Sequence, residues 1–198
     1  MLSASRSAGR SRARLATQSC VTLALLLVLG TSKLVGQEIH QGFGLGVAVP
    51  AGDYGQTHGS GPLAQFFILF GGADRRLRLR VEAEGVWFPG HIPASALSDA
   101  SGDLRIVSSI ASLMIGPRTS GARPYLLLGA GPQWLSVSKV INPYGSVIGT
   151  RAGLGVEGRL GDWTVRAEIA AHAVLSDFAT GHDYGLGAYW PVAVAIQF

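Results

Sequence analysis

Cysteine and charged residues are scarce in this sequence, and long apolar runs are missing from most of it. The 198 residues include one cysteine, Cys20, and 14% charged residues, whereas soluble domains average about a quarter. A lone cysteine near the start excludes a disulfide, and it excludes a thiol nucleophile or cysteine metal site further along. After residue 36 no run of about 20 apolar residues occurs, which excludes an ordinary transmembrane helix in that part.

The apolar content is nevertheless high. Hydrophobic residues make up 47% of the chain, and the mean hydropathy is +0.31. Two classes of protein combine this composition with the missing apolar runs. One is a soluble protein with a large core, and the other is a membrane β-barrel, which carries its apolar residues at every second position.

The N-terminus has the pattern of a secretory signal peptide. Four arginines precede residue 15, the apolar run "VTLALLLVLG" covers 21–30, and the small Gly36 ends the leader. Cys20 precedes the apolar run, whereas a lipid-attachment cysteine would follow it. The sequence therefore predicts a signal peptide over 1–36 and one mature domain over 37–198, and the alternative is an uncleaved N-terminal anchor.

The basic isoelectric point of about 9.6 comes from this leader. The chain has 16 basic and 12 acidic residues, and five of the basic residues and none of the acidic ones lie before residue 37. The mature domain therefore keeps 11 basic and 12 acidic residues. Its nearly balanced charge gives no support for binding to nucleic acid.

The mature domain divides into eight segments with period-two patterning, separated by Gly, Pro, Asp and Ser. Long amphipathic helices are absent, and the 28 glycines and nine prolines of the whole chain, most of them in this domain, also disfavour helices. The sequence therefore predicts eight β-strands, near 40–50, 61–72, 77–88, 104–116, 123–136, 149–160, 163–175 and 185–198.

The third segment, "LRLRVEAEGVW", shows the alternation best. Leu79 and Val81 share one face with other apolar residues, while arginines and glutamates occupy the opposite face. The sixth, seventh and eighth segments repeat the pattern. A soluble barrel would turn the apolar face inward, and a membrane barrel would turn it toward lipid, so the alternation alone does not choose between them.

The connections between segments favour the membrane barrel, because long and short ones alternate along the chain. The predicted long connections lie near 51–60, 89–103, 137–148 and 176–184, and the short ones near 72–76, 117–122 and 161–162. Outer-membrane barrels have this asymmetry, with long external loops and tight periplasmic turns. Aromatic residues also fall near the predicted strand ends, at Phe43, Phe70, Trp87, Trp134, Trp163 and Phe198.

Four stretches carry a family resemblance: "GFGLGVAVPAGDYG", "RPYLLLGAGP", "GLGVEGRL" and the terminal "VAVAIQF". With the leader, they make the sequence resemble small bacterial outer-membrane β-barrel proteins of the eight-stranded OmpA/OmpX-like type. The resemblance implies an all-β, antiparallel, up-and-down transmembrane barrel located in the bacterial outer membrane, in contact with lipid and lipopolysaccharide. It also implies an assembly signal that the outer-membrane insertion machinery reads, formed by Trp190, Val192, Val194, Ile196 and Phe198.

The interior of such a barrel is just wide enough for its own side chains. Buried charges need partners, so the polar strand faces predict a network of charges that plugs the lumen. The predicted members are Arg78, Arg80, Glu82, Glu84, Arg151, Glu157, Arg159, Arg166, Glu168 and His172. A narrow path for an ion or solute is the alternative.

Catalytic and metal-binding patterns are weak. His172, Ser176 and Asp177 lie near the end of the seventh segment, and His182 and Asp183 follow, but no family motif joins them. The five histidines are scattered without metal-ligand spacing. The sequence therefore predicts no catalytic site, no metal and no cofactor, and a protein that is not an enzyme.

Two functions remain open at this level. The first is a structural or surface-interaction role, exercised by a monomeric barrel through its external loops. The second is a porin-like narrow channel, or a barrel that binds or passes a small solute. A soluble exported barrel with an apolar pocket is a third possibility.

Overall fold

The computed structural model describes residues 38–72, 75–90, 102–118, 121–138, 145–174 and 187–198. The predicted signal peptide, residues 1–36, lies outside this part of the chain. The leader and the domain boundary therefore stay predictions.

The described residues form eight strands and one short helix. The strands are β1 (Ile39–Gly52), β2 (Gly61–Phe70), β3 (Leu77–Phe88), β4 (Leu104–Ile115), β5 (Arg123–Val137), β6 (Gly145–Leu160), β7 (Trp163–Val174) and β8 (Gly187–Gln197), and the helix α1 is Asp53–Thr57. Each strand pairs antiparallel with the next, and β8 pairs with β1 from Gln197↔Gly42 to Gly187↔Gly52. The predicted eight-stranded up-and-down barrel is confirmed. No helix in the described ranges has the length and apolar character needed to cross a bilayer.

The largest departure from the predicted strands is the start of β6. This strand begins at Gly145, four residues before the predicted 149, and the connection before it shrinks to 138–144. That connection has the same length as 116–122, so the expected contrast between long and short connections is wrong at this position. The ladder of β5 and β6 extends to Leu135↔Gly145, which explains the earlier start.

The two ends of the barrel are named here by their connections. The turn end carries both chain ends of the barrel and the connections 71–76, 116–122 and 161–162. The loop end carries the connections 53–60, 89–103, 138–144 and 175–186. Helix α1 lies in the first of these loop-end connections.

The outer wall of the barrel is apolar, as a lipid-facing wall must be. Large apolar side chains with at least about a third of their surface exposed occur on every strand except β2, and Leu154 is 63% exposed. The structure also assigns the two segments whose faces the sequence left open: Val107 and Leu113 of β4 and Leu128 of β5 point outward. A soluble barrel would bury this face, so the soluble alternative is wrong.

Glycines on the inner wall provide room for large side chains from neighbouring strands. A Cβ atom added to Gly42 would meet the ring of Phe67, and one added to Gly155 would meet the ring of Tyr125. Both pairs are direct register partners. The glycine-rich "GFGLG" in β1 is thus explained by packing inside a narrow barrel, which cannot hold two large side chains at one level.

Candidate functional site

The lumen collects most of the predicted charges. Nine of the ten predicted members of the network are buried inside the barrel, at Arg78, Arg80, Glu82, Glu84, Arg151, Glu157, Arg166, Glu168 and His172. Strand β3 supplies four of them because its polar residues alternate in one unbroken run. Strands β6 and β7 supply the rest from the opposite wall, so several of the ion pairs form across the lumen.

A turn-end cluster forms around the carboxylate of Glu157. Arg78 donates to both of its oxygens, at 3.2 Å and 2.5 Å. The Nε of Arg166 donates at 3.0 Å, and Arg123 lies 2.9 Å away. Three guanidinium groups thus share one carboxylate. The burial of Glu157 at 1% exposure makes this a low-dielectric cluster, where each charge depends strongly on its partners.

Arg123 is the member of this cluster that the sequence prediction missed. It opens β5, the strand whose two faces could not be told apart from the residue pattern. Its register partner is Glu157 itself. The signal that could have found it is the pairing of β5 with β6, because alternation along β5 alone does not reveal which face is inward.

A mid-barrel cluster lies next to the first one and has the opposite balance of charge. Arg80 lies 2.8 Å from Glu82 and also donates to Glu168. Arg151 donates to Glu82, lies 3.9 Å from Glu84, and donates to Glu168 at 3.2 Å. Two arginines here form ion pairs with three glutamates, so carboxylates outnumber guanidinium groups.

Aromatic side chains complete both clusters and were not predicted from the sequence. The Phe67 ring has the guanidinium carbons of Arg80 and Arg166 at 4.3 Å and 5.0 Å from its centroid, which stabilises both cations. The hydroxyl of Tyr125 donates to Glu168 at 2.5 Å, and that of Tyr189 donates to Glu84 at 2.9 Å. The clusters are therefore held by neutral donors as well as by ion pairs.

Arg159 does not join the buried charges, and its predicted place in the network is wrong. It shares a strand face with Glu157, as alternation requires, but it is exposed at the turn end of β6. The physical reason is depth: Arg159 lies one residue before the end of the strand, where the inner face opens to solvent. Within the described residues it forms no ion pair.

The loop-end half of the interior is apolar, which the prediction of a charge-filled lumen did not include. Twelve buried residues form this loop-end core: Ala48, Tyr54, Leu63, Val86, Phe88, Leu104, Ile106, Leu135, Val147, Val174, Tyr189 and Ala193. The rings of Phe88 and Tyr189 meet edge to face at 5.7 Å. Tyr54 comes from helix α1, so the first loop-end connection helps to cover the lumen.

Glu82, Glu84 and His172 form the set of side chains closest to a metal-ligand arrangement in the described residues. One potential ligand atom of each lies within 4.8 Å of the others. However, Arg80 lies 2.8 Å from Glu82, and Arg151 contacts both carboxylates. A divalent cation would have to approach two fixed positive charges, so the geometry favours ion pairing over metal binding.

The other residues that sequence reasoning considered for catalysis cannot be placed with His172. Ser176, Asp177, His182 and Asp183 lie outside the described residues. His172 itself is buried in the mid-barrel cluster, 3.8 Å from Glu84, with its ring 4.6 Å from that of Tyr189. The described partners of His172 are those of a packed interior.

The predicted assembly signal lies on the final strand and stays a prediction. Trp190, Val192 and Val194 of β8 are exposed on the outer wall, and Phe198 is 60% exposed at the turn end. The backbone of Phe198 pairs with that of Gln41 through hydrogen bonds of 2.9 Å and 3.3 Å. Phe198 therefore extends the β1–β8 seam while its ring remains available to another molecule.

Two loop-end connections meet at His58. Its Nε2 donates to the carbonyl oxygen of Gly102 at 3.2 Å, and its Nδ1 accepts from the Thr57 hydroxyl at 2.8 Å. Nearby, the amide of Gly59 donates to the carbonyl of Pro89 at 3.0 Å. Burial lowers the pKa of His58, and the hydrogen bond to Gly102 and the charge of Asp103 oppose that shift.

Acidification is expected to loosen this contact. Because folding lowers the pKa of His58, the stabilisation from its neutral imidazole is fully present above the ordinary value of 6.5 and is lost as pH falls through the lower folded value. Protonation leaves the Nε2 bond to Gly102 but removes the acceptor that Nδ1 offers to Thr57. Hydrogen–deuterium exchange of the Gly59 amide, corrected for its intrinsic rate at each pH, should therefore become faster as the pH is lowered from 7.5 to 5. The Gly116 amide, bonded to Arg76 at the turn end, is the reference. An equal acceleration in His58→Gln would refute the role of this imidazole.

Comparisons with known proteins identify the fold. No protein-family model matches the chain, and no curated protein matches it. Among solved structures, neisserial surface protein A (NspA) matches with a TM-score of 0.60 at 15% identity, over 82% of this chain and 98% of that one. The N-terminal β-barrel domain of Pseudomonas aeruginosa OprF matches with a TM-score of 0.50 at 14% identity, over 83% and 100%.

The chain therefore has the fold of the small eight-stranded outer-membrane β-barrels, as the sequence predicted. Identities this low establish a shared fold and leave function to be argued from this chain's own residues. The apolar outer wall of the described strands agrees with a position in the bacterial outer membrane.

Proposed function

We propose that this protein is an integral outer-membrane barrel with a closed lumen, which acts structurally or through surface contacts of its loop end. The interior charges serve to fill and stabilise the barrel. The loop end would face outward and the turn end would face the periplasm, with lipid around the wall and lipopolysaccharide around the loop end. The apolar wall and the shared fold support the membrane position.

The proposal of a closed lumen is supported mainly by the loop-end core. An ion that crossed the barrel would have to pass Phe88, Tyr189 and their apolar neighbours, all without exposed surface or nearly so. It would also have to separate the ion pairs of Arg80 and Arg151 below them. Desolvating an ion next to apolar side chains costs several kcal/mol or more, so this arrangement opposes conduction.

Single-channel recording in planar bilayers tests this proposal. The wild-type barrel is expected to give no steady open level, whereas a double variant Phe88→Ala with Tyr189→Ala removes two rings from the core and should raise leak events. Insertion of each protein is checked by its shift in gel mobility on boiling in SDS. A steady open level of the inserted wild type would instead support the narrow channel.

A non-enzymatic role is part of the same proposal. Three of the four buried carboxylates, Glu82, Glu157 and Glu168, are each held by at least two arginines. The fourth, Glu84, accepts from the Tyr189 hydroxyl at 2.9 Å and lies 3.9 Å from Arg151. This arrangement leaves none of them placed as a general base. The fold by itself does not exclude catalysis. The proposal therefore rests on these ion pairs within the described residues.

Phe198 is proposed to act in assembly more than in stability. Phe198→Ala should reduce the amount of barrel inserted by living cells several-fold, because the exposed terminal ring is the feature offered to the insertion machinery. The same variant should refold into detergent micelles almost like wild type, because an exposed side chain contributes little to folding. Fractionation of outer membranes and refolding yield measure the two effects.

Trp163→Ala is the matched control for Phe198. Trp163 is also exposed, at 54%, near the same end of the barrel, and it lies outside the final strand. Equal losses of assembly in both variants would mean that any exposed aromatic at this end matters. That result would remove the special role of the C-terminal strand.

A further inference from the structure

The turn-end mouth of the lumen is lined by arginines. Arg78, Arg123 and Arg166 surround Glu157 inside the mouth. Arg76 and Arg159 lie further out, and both are exposed. The Gly116 amide still donates to the carbonyl of Arg76 at 3.0 Å, so the β3 ladder continues to this residue and alternation places it on the inner face with Arg78.

The arginine ring holds five guanidinium groups and one carboxylate, that of Glu157, among the described residues. Its members are Arg76, Arg78, Arg123, Arg159 and Arg166. Glu157 is the acidic residue on the inner face at this level among the described residues, and the mid-barrel glutamates are held by Arg80 and Arg151. Asp162 lies in the turn after Arg159, and Asp74 lies outside the described residues. Arg76 and Arg159 form no ion pair within the described residues, and they lie beside three further guanidinium groups, so this mouth attracts an anion.

A buried donor of this ring also has no partner. The Nη1 of Arg166 has less than 1 Å² exposed and makes no hydrogen bond within the described structure. The rest of the side chain is fixed, because its Nε donates to Glu157 at 3.0 Å and its Nη2 donates to Gln197. An unsatisfied buried donor costs about 1–3 kcal/mol, so a ligand that accepts from it would be stabilised.

We propose that the arginine ring is a binding site for a phosphate-bearing anion that enters from the turn end. Guanidinium groups bind phosphate through paired, charge-assisted hydrogen bonds, and several of them together distinguish phosphate from chloride. The phosphate belongs either to the headgroup of an anionic phospholipid in the adjoining leaflet or to a small soluble anion. This site does not depend on whether the lumen conducts.

Thermal stability in the presence of inorganic phosphate tests the site directly. The full-length protein is held in an amine-oxide detergent, which contains no phosphate. Its apparent unfolding temperature, followed by tryptophan fluorescence, is measured against phosphate and against sodium chloride at matched ionic strength. The site predicts a saturable rise with phosphate that chloride does not produce.

The double variant Arg76→Gln with Arg159→Gln separates binding from folding, because both side chains are exposed and lie outside the buried clusters. Each lost charge-assisted hydrogen bond weakens binding by about tenfold, so the apparent phosphate affinity should fall by at least that factor. Arg105→Gln removes an exposed arginine at the loop end and should leave the affinity unchanged. If Arg105→Gln weakened phosphate binding as much as the double variant does, phosphate would be acting by general charge screening, and the proposed site would be overturned.

A lipid experiment distinguishes the source of the phosphate. Native mass spectrometry of the barrel from phosphatidylglycerol nanodiscs, compared with phosphatidylcholine nanodiscs, counts the lipids that stay bound. Phosphatidylglycerol retention that the double variant loses assigns the site to a lipid headgroup. Saturable protection by inorganic phosphate without retention assigns it to a soluble anion. The proposal would be overturned if the wild type showed neither phosphatidylglycerol retention nor protection by phosphate. It would also be overturned if the double variant kept both effects unchanged.

Discussion

Replacing Glu157 by glutamine is expected to destabilise the folded barrel by about 3–5 kcal/mol, the usual cost of leaving buried charges without their partner. Three arginines depend on this one carboxylate: Arg78, Arg123 and Arg166. Glutamine keeps the size of the side chain but removes its charge. The turn-end cluster would then hold three guanidinium groups within a few ångströms of one another and no carboxylate.

Urea unfolding of the barrel in lipid vesicles, followed by tryptophan fluorescence, measures this loss. Glu38→Gln is the control, because Glu38 is an exposed carboxylate at the same end, and its contact with His40 is 3.7 Å long. Such surface changes usually stay within about 0.5 kcal/mol. A loss below about 1 kcal/mol in Glu157→Gln would mean that water entering the mouth screens the arginines, and it would contradict the buried cluster.

The eight strands, and the faces of most of them, could be predicted because period-two alternation is a local property of the sequence. In β3 the apolar and charged residues alternate without interruption, so both strand and face follow from the residues alone. In β5 both faces carry apolar residues, as in "YLLLGAG", so alternation does not show which of its residues point into the barrel. Arg123 was missed for that reason, and only the register with β6 places it beside Glu157.

The pairing of the lumen charges could not be predicted, because it depends on closure of the barrel. Arg80 and Glu168 are 88 positions apart in the chain and meet across the lumen. Closure also sets depth, which decides that Glu157 is buried while Arg159, two residues later on the same face, is exposed. The sequence therefore predicts which residues face inward, and the fold decides which of them become partners.

The loop-end core was not predicted, because inward apolar residues carry no distinctive pattern. Val86 and Phe88 follow the charged run of β3 on the same face, and β4 supplies Leu104 and Ile106 at the same level. Read along one strand, these residues look like ordinary strand formers. Only the ring of eight strands brings them together at the loop end.

Replacing Gly155 by valine is the second change with a large expected effect, a loss of about 3 kcal/mol, at the upper end for overpacking an interior. A Cβ atom at Gly155 would meet the ring of Tyr125, its register partner. That ring cannot swing aside freely, because its hydroxyl donates to Glu168 at 2.5 Å. The substitution should therefore strain the inner wall and break a hydrogen bond of the mid-barrel cluster.

Gly158→Val is the matched control, because it makes the same change in the same strand. A Cβ atom at Gly158 would meet nothing within 4 Å, and valine favours strands over glycine. Urea unfolding in vesicles should therefore give a neutral or slightly stabilising effect for Gly158→Val and a large loss for Gly155→Val. Similar values for both would mean that the barrel relaxes around added volume. Packing would then not explain why glycines of the inner wall lie opposite large side chains.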